Sequence, residues 1–241
     1  MSICQKRPDH RGYAAKRLQL LVIAALASII SAPGLHAKCV DGPAPIVDWS
    51  GCSKELLMLG GHDLTRANLQ GALLSGSDFR SANLLGANFV QTELLRTSFK
   101  GADLAGANFE KALASRANFA GAKLTKVRLV KAEFHRVNFE GADLTGADLS
   151  DGDFHRTNFS KAKLTNALLV DALLPRCIFL EVDLSGASMK GAFLYRANFE
   201  GANLTAVKDL TQAQLDIACG NENTKLPAGL SAPGWWPCKA D

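Results

Sequence analysis

The sequence predicts an all-β solenoid, and three observations carry that prediction. From Leu64 to Leu204 every fifth residue is Leu or Phe, over 29 consecutive positions with no insertion and with only Ala114 and Met189 departing. Two residues before each of these except Leu64, which follows His62, stands a small residue, and it is Ala at 19 of the 29 positions. Taken at every twentieth position, the large residues sort by type: 64, 84, 104, 124, 144, 164, 184 and 204 are all Leu, and 79, 99, 119, 139, 159, 179 and 199 are all Phe. A period of five fits neither an α-helix, at about 3.6 residues per turn, nor a flat strand, at about 2. A fixed short period marks a solenoid, in which each unit buries its apolar face only against its neighbours. The sorting by type sets the coil at 20 residues and stacks like on like.

In chain order the first element is an export signal. Residues 1–37 begin polar and basic, with Lys6, Arg7, Arg11, Lys16 and Arg17, and then run through an apolar stretch from Leu20 to Ile30. Those 11 residues are too few to span a bilayer, which takes about 20. Ser31-Ala32-Pro33-Gly34 breaks the run, and Leu35-His36-Ala37 ends it at a small residue suited to cleavage. The alternative is an uncleaved segment that anchors the chain, the one route by which a membrane enters this account. Removing 1–37 turns the formal charge of +4 into zero, with 22 basic and 22 acidic residues left. The composition of the full chain, 47% hydrophobic and 21% charged, excludes a disordered chain or a multi-span membrane protein.

Residues 38–59 are expected to cap the first coil, residues 60–207 to form the solenoid, and residues 208–241 to cap its other end. Solenoid ends need such covers, because a stacked edge exposes unpaired backbone groups. Cys39 and Cys52 fall in the first cap, and Cys219 and Cys238 in the last. Their placement fits two local disulfides, Cys39–Cys52 and Cys219–Cys238, in an oxidising compartment. Zinc is the other use of such cysteines, but no CxxC or nearby His pair accompanies them. Cys177 occupies a small inward position and is expected to be an inert buried residue. Asp209–Ala218 reads as a short C-terminal helix with Thr211 as N-cap and Gly220 as its stop. Trp235 and Trp236 are expected to cover the core end.

The motif is plainest at Ala67-Asn68-Leu69, Ala102-Asp103-Leu104, Ala142-Asp143-Leu144 and Ala202-Asn203-Leu204. This pattern resembles the pentapeptide-repeat family. The resemblance implies a right-handed quadrilateral parallel β-helix, with one pentapeptide per side and the Leu/Phe and small residues pointing inward. It would have about seven coils stacked about 4.8 Å apart. The function best known in that family is mimicry of DNA toward DNA gyrase or a related topoisomerase. That use needs a strongly negative surface, whereas residues 60–207 hold 17 basic and 15 acidic residues.

Outward residues 20 apart form ladders, and one stands out: Arg96, Arg116, Arg136, Arg156, Arg176 and Arg196. A line of cations suits a linear anion. The same side carries Glu93, Glu133 and Asp153, which are expected to pair with part of it. Glu133, His135, Asp153 and His155 form a two-by-two polar patch beside it. Two imidazoles and two carboxylates can hold a metal, but the adjoining Arg residues oppose this, and neither a metal nor a cofactor is expected. No nucleophile or pocket accompanies the His–carboxylate pairs, so no catalytic residue is assigned. Nucleic acid is disfavoured as a partner, because net positive charge and interleaved aromatics are missing.

The sequence therefore predicts a non-enzymatic interaction scaffold, periplasmic or secreted, that presents its Arg ladder to a protein, an anionic polymer or an envelope surface. Self-association as a homodimer stays open. Intact mass and N-terminal sequencing of the protein from its own host should show a chain that starts at Lys38, lighter by two protons per disulfide. A full-length chain with free thiols would refute export.

Overall fold

The structure, a computed structural model, describes residues 39–237. The expected signal segment 1–37 and Cys238 lie outside the described residues. From Asp41 onward the chain belongs to one compact unit.

Each pentapeptide contributes one bridge and one turn. The residue before each Leu/Phe pairs in parallel with the residue 20 further along, as in Asp63↔Asn83, Asn68↔Asn88, Leu73↔Glu93 and Asp78↔Ser98. The turn runs from the Leu/Phe to the next small residue. The Leu64 carbonyl accepts from the Ala67 N–H at 3.0 Å, and Leu69 from Ala72 at 3.0 Å. The third turn residue is left-handed along the whole repeat, with φ 57° at Arg66, 65° at Gly71, 70° at Gly76 and 54° at Ser81. A positive φ at that place alone is the mark of a type II turn. Backbone groups not used in the turn bond to the next coil: Leu64 N–H to the Asn83 carbonyl at 2.7 Å, Arg66 N–H to Leu85 at 2.8 Å, and Asn83 N–H back to His62 at 2.9 Å.

Where an Asp or Asn precedes the Leu/Phe, it has a role in this turn. Its Oδ1 accepts from the N–H two residues on, as in Thr65 to Asp63 at 3.0 Å, Val90 to Asn88 at 3.2 Å and Thr145 to Asp143 at 3.0 Å. This Asx bond steers the chain into the turn and satisfies an otherwise idle donor.

The core is built from the inward positions. The seven Phe from 79 to 199 form a stack, with successive centroids 5.0, 4.7, 5.0, 5.2, 5.1 and 4.9 Å apart. Those spacings match the strand separation of about 4.8 Å, so ring stacking and backbone bonding share one repeat. Ala114, the short exception, is compensated by Phe134, whose ring reaches Phe109 and Phe119 on either side of it, at 6.0 and 5.7 Å. Gly152 stands in a small position because the Phe154 ring fills the space where a Cβ would project. Cys177 is fully buried, and its thiol donates to the Phe154 carbonyl at 2.9 Å. Thr157 makes the equivalent bond to Phe134 at 2.6 Å, and Thr97 to Leu74 at 3.1 Å. Burial holds the Cys177 thiol far above its ordinary pKa, so the group is inert as a nucleophile.

At the first end, Trp49 is buried and its Nε1 donates to the Asp41 carbonyl at 3.1 Å, while the Lys54 ammonium sits 4.2 Å over its ring. Cys39, Cys52 and Cys219 are all disulfide-bonded, and Cys39 is joined to Cys52. At the other end the helix is shorter than the sequence suggests. Helix α1 spans Gln212–Leu215, with Thr211 and Gln214 forming a capping box. It stops at Asp216 because the ladder then takes the chain back: Arg196 N–H bonds to the Ile217 carbonyl at 2.6 Å and Cys219 N–H to Ala197 at 2.7 Å. Gln214 Nε2 ties α1 down, donating to the Met189 and Ala192 carbonyls at 2.8 and 2.9 Å. Gly220 is not the helix stop. The Trp236 indole occupies the place of its Cβ, and Trp236 Nε1 donates to the Ala218 carbonyl at 2.9 Å.

Phe119→Ala, in the middle of the stack, should lower the unfolding free energy by about 3–5 kcal/mol. Leu113→Ala, on the outer surface, should change it by no more than about 0.5 kcal/mol. Urea denaturation followed by circular dichroism checks both. Equal losses would mean that the stack is not the stabilising element.

Candidate functional site

All six Arg of the predicted ladder fall on the left-handed third residue of a turn, with φ of 57, 59, 57, 58, 58 and 54° at Arg96, Arg116, Arg136, Arg156, Arg176 and Arg196. Side chains in this region cost of order 1 kcal/mol each relative to Gly. Elsewhere the chain uses Gly at such places, as at Gly101, Gly121, Gly141 and Gly201 on the next corner and at Gly76 in the same column. The backbone fixes the spacing. Arg116 N–H donates to the His135 carbonyl at 2.9 Å, Arg136 to His155 at 2.8 Å and Arg156 to Pro175 at 3.0 Å. Arg96, Arg116, Arg136 and Arg156 are exposed, whereas Arg176 and Arg196 are half-buried.

The expected pairing of Glu93, Glu133 and Asp153 with this edge is not seen at Arg96, Arg116, Arg136 or Arg156. Among the described residues, no carboxylate forms an ion pair with Arg96, Arg116, Arg136 or Arg156. Asp153 is used differently. Its Oδ1 accepts the His155 N–H at 3.0 Å in the Asx turn, and its Oδ2 lies 3.0 Å from His135 Nε2. Three cations elsewhere on the surface do have carboxylate partners. Arg80 grips Asp78 at 2.6 Å, Lys123 meets Asp103 at 3.4 Å, and Arg128 lies between Glu110 at 3.2 Å and Asp148 at 3.7 Å.

The polar patch is brought together in part. Glu133 and Asp153 are bridged neighbours in one line, and the His135 and His155 rings lie 6.4 Å apart in the next. An open cleft of about 410 Å³ is lined by Ser115, Arg116, His135, Arg136, Asp153 and His155, and Glu133 is not in its wall. Two guanidinium groups and two imidazoles around one carboxylate make a cationic recess. Among the described residues, no group of three His, Cys, Asp or Glu is arranged to hold a metal. Burial and then the Arg156 charge lower the pKa of His155, with His135 and Arg176 adding to the shift and Asp153 opposing it. The charge of the recess near neutral pH therefore comes from Arg rather than from this imidazole.

The sequence reading missed the flank of the same side. In the line of Glu133 and Asp153 stand Leu113, Leu173 and Phe193, 43, 45 and 45% exposed. Tyr195 is 45% exposed and stands in the line of His135 and His155, its ring 6.3 Å from that of Phe193. The signal was available in the same 20-residue register that revealed the Arg ladder. Among the described residues, no helix is long and apolar enough to cross a membrane.

Two family models match the chain. A pentapeptide repeat region covers residues 92–167, and pentapeptide repeats (8 copies) match 63–101, 153–191, 167–205 and 177–216. Solved structures with similarity include trypsin-treated QnrB1, a plasmid-mediated fluoroquinolone resistance protein. It is 20% identical, with 73% of this chain and 92% of that chain covered and a TM-score of 0.45. HetL, a pentapeptide repeat protein involved in heterocyst differentiation regulation from the cyanobacterium Nostoc sp. strain PCC 7120, is 24% identical, with 80% and 95% covered and a TM-score of 0.30. A pentapeptide repeat protein from the Arabidopsis thaliana thylakoid lumen is 27% identical, with 54% and 82% covered and a TM-score of 0.30. Among curated proteins none matches. The two family models together span residues 63–216, most of which lies within Asp48–Lys208, where the parallel bridges repeat every 20 residues, and the chain belongs to the pentapeptide repeat family.

Proposed function

We propose that this protein is a non-enzymatic interaction scaffold that binds an anionic partner, protein or polymer, along Arg96, Arg116, Arg136 and Arg156. The observation that carries this is a row of exposed guanidinium groups without carboxylate partners, on left-handed turn residues. Neighbouring members of the row stand about 5 Å apart along the stack, inside a Debye length of about 8 Å. Their mutual repulsion is relieved when an anion lies along them. An anion of matching length also gains several charge-assisted bonds at once.

The same proposal includes the finer architecture: a right-handed, four-sided β-helix of about seven coils at about 4.8 Å each, with α1 and the segment behind it as the C-terminal cap. It includes export to the periplasm or outside the cell, for which the basic-then-apolar composition of residues 1–37 speaks. Formation of a homodimer is compatible with it. The alternative reading, DNA mimicry toward gyrase or a topoisomerase, sits poorly with a cationic edge and with 17 basic against 15 acidic residues over 60–207.

The chain from Lys38 onward should be retained on heparin beads at low salt and released as NaCl rises. Arg116→Ala/Arg136→Ala/Arg156→Ala should abolish retention without changing the thermal melt. Flow-through of the unsubstituted protein at low salt would sink the reading.

A further inference from the structure

The Arg edge runs the length of one side, but the surface beside it changes character. Next to Arg136 and Arg156 the outward residues are Glu133, His135, Asp153 and His155. One and two coils further on they become Leu173 and Pro175, then Phe193 and Tyr195. Leu173 and Phe193 are bridged directly one above the other, and the Phe193 and Tyr195 rings lie nearly parallel, at 13°. On the two adjoining sides Leu168 and Ile178 are 45 and 37% exposed. In the lines of Leu168 and Ile178 most other levels of the solenoid carry Asp, Asn or Ser, whereas the lines of Leu173 and Tyr195 also carry Leu73, Leu113 and Leu95. Single exposed apolar residues are ordinary, whereas a contiguous group of this kind marks a contact surface.

We infer that the partner of this side is a protein with an acidic segment that lies along Arg116, Arg136 and Arg156 and ends in a large apolar or aromatic side chain seated on Leu173, Pro175, Phe193 and Tyr195. This inference rests on the reading that the Arg edge binds an anion, and it names the class of that anion. Charge complementarity selects the acidic segment, because Arg136 and Arg156 are exposed without carboxylate partners within about two strand spacings of Leu173. The apolar end selects a protein over a polymer. An acidic polysaccharide or a phosphate backbone offers charge at every step and no apolar group to cover four apolar side chains. Arg beside Phe and Tyr is also the composition from which protein interfaces draw most of their binding energy. A second copy laid face to face by a two-fold axis would bring one Arg row against the other, and like charges opposed across an interface weigh against that pairing.

The test uses two fluorescein-labelled synthetic peptides, each an acidic run of Glu and Gly, one ending in Trp-Leu and the other in Ser-Ser. Binding to the chain from Lys38 onward is followed by fluorescence polarisation. The Trp-Leu peptide should bind at least about tenfold more tightly, the gain that partial burial of one large apolar residue gives. In Phe193→Ser/Tyr195→Ser the two peptides should bind alike. Equal affinity for the unsubstituted protein, or no binding of either peptide, overturns the inference. So does a concentration-dependent doubling of mass in sedimentation that Phe193→Ser/Tyr195→Ser abolishes, which would assign the patch to a second copy. Heparin retention of the unsubstituted protein separates the two levels. If heparin is held but the peptides do not differ, the protein partner falls and the anion edge stands. If heparin is not held, the edge itself falls.

Discussion

A turn that closes every five residues, with its third residue left-handed, is the constraint on which the rest of this structure depends. It brings the chain back above itself after 20 residues, so that backbone bonds, ring stacks and side-chain lines share one register. The Asx bond from the preceding Asp or Asn holds the turn from outside, and the small residue after it leaves room inside for Leu or Phe. Because this device repeats without interruption, any outward residue type placed at one corner of successive coils becomes a straight line on the surface. The Arg edge is such a line, and its spacing is set by backbone bonds rather than by the Arg side chains.

Inside and outside follow different rules. Inward positions tolerate change only where volume is returned nearby, as Phe134 does for Ala114 and Gly152 for Phe154. Outward positions face no such volume demand, and apart from the Asp and Asn of the turns their side chains are not needed for backbone bonding. Leu173, Phe193 and Tyr195 are therefore unexplained by the fold, as are four Arg in conformations that Gly adopts without strain.

Much of the architecture was legible because the inward period is written directly into residue type: Leu over Leu, Phe over Phe, and Ala two before. What the period could not show was how outward side chains use their polar atoms. Proximity suggested that Asp153 pairs with Arg, but one of its oxygens is held by the His155 amide and the other faces His135. The length of α1 was misjudged for a related reason. Local sequence favours helix to Ala218, but Ile217 and Cys219 are claimed by the ladder, a long-range demand that outweighs local preference. Gly220 carried the signal of a helix stop, and only the placement of Trp236 explains its lack of a side chain. The apolar flank of the Arg edge was present in the sequence but hidden by sorting outward residues according to charge.

The C-terminal segment departs from the register of everything before it. Asn198 bridges Cys219 and Asn203 bridges Lys225, separations of 21 and 22 where the repeat keeps 20. A growing stack of β-coils adds a further layer only if the layer below is commensurate with it. This end is not, and Trp236 lies across part of it with its indole bonded to Ala218. A coil stacked in the 20-residue register of the repeat would meet these last two bridges out of step by one and two residues.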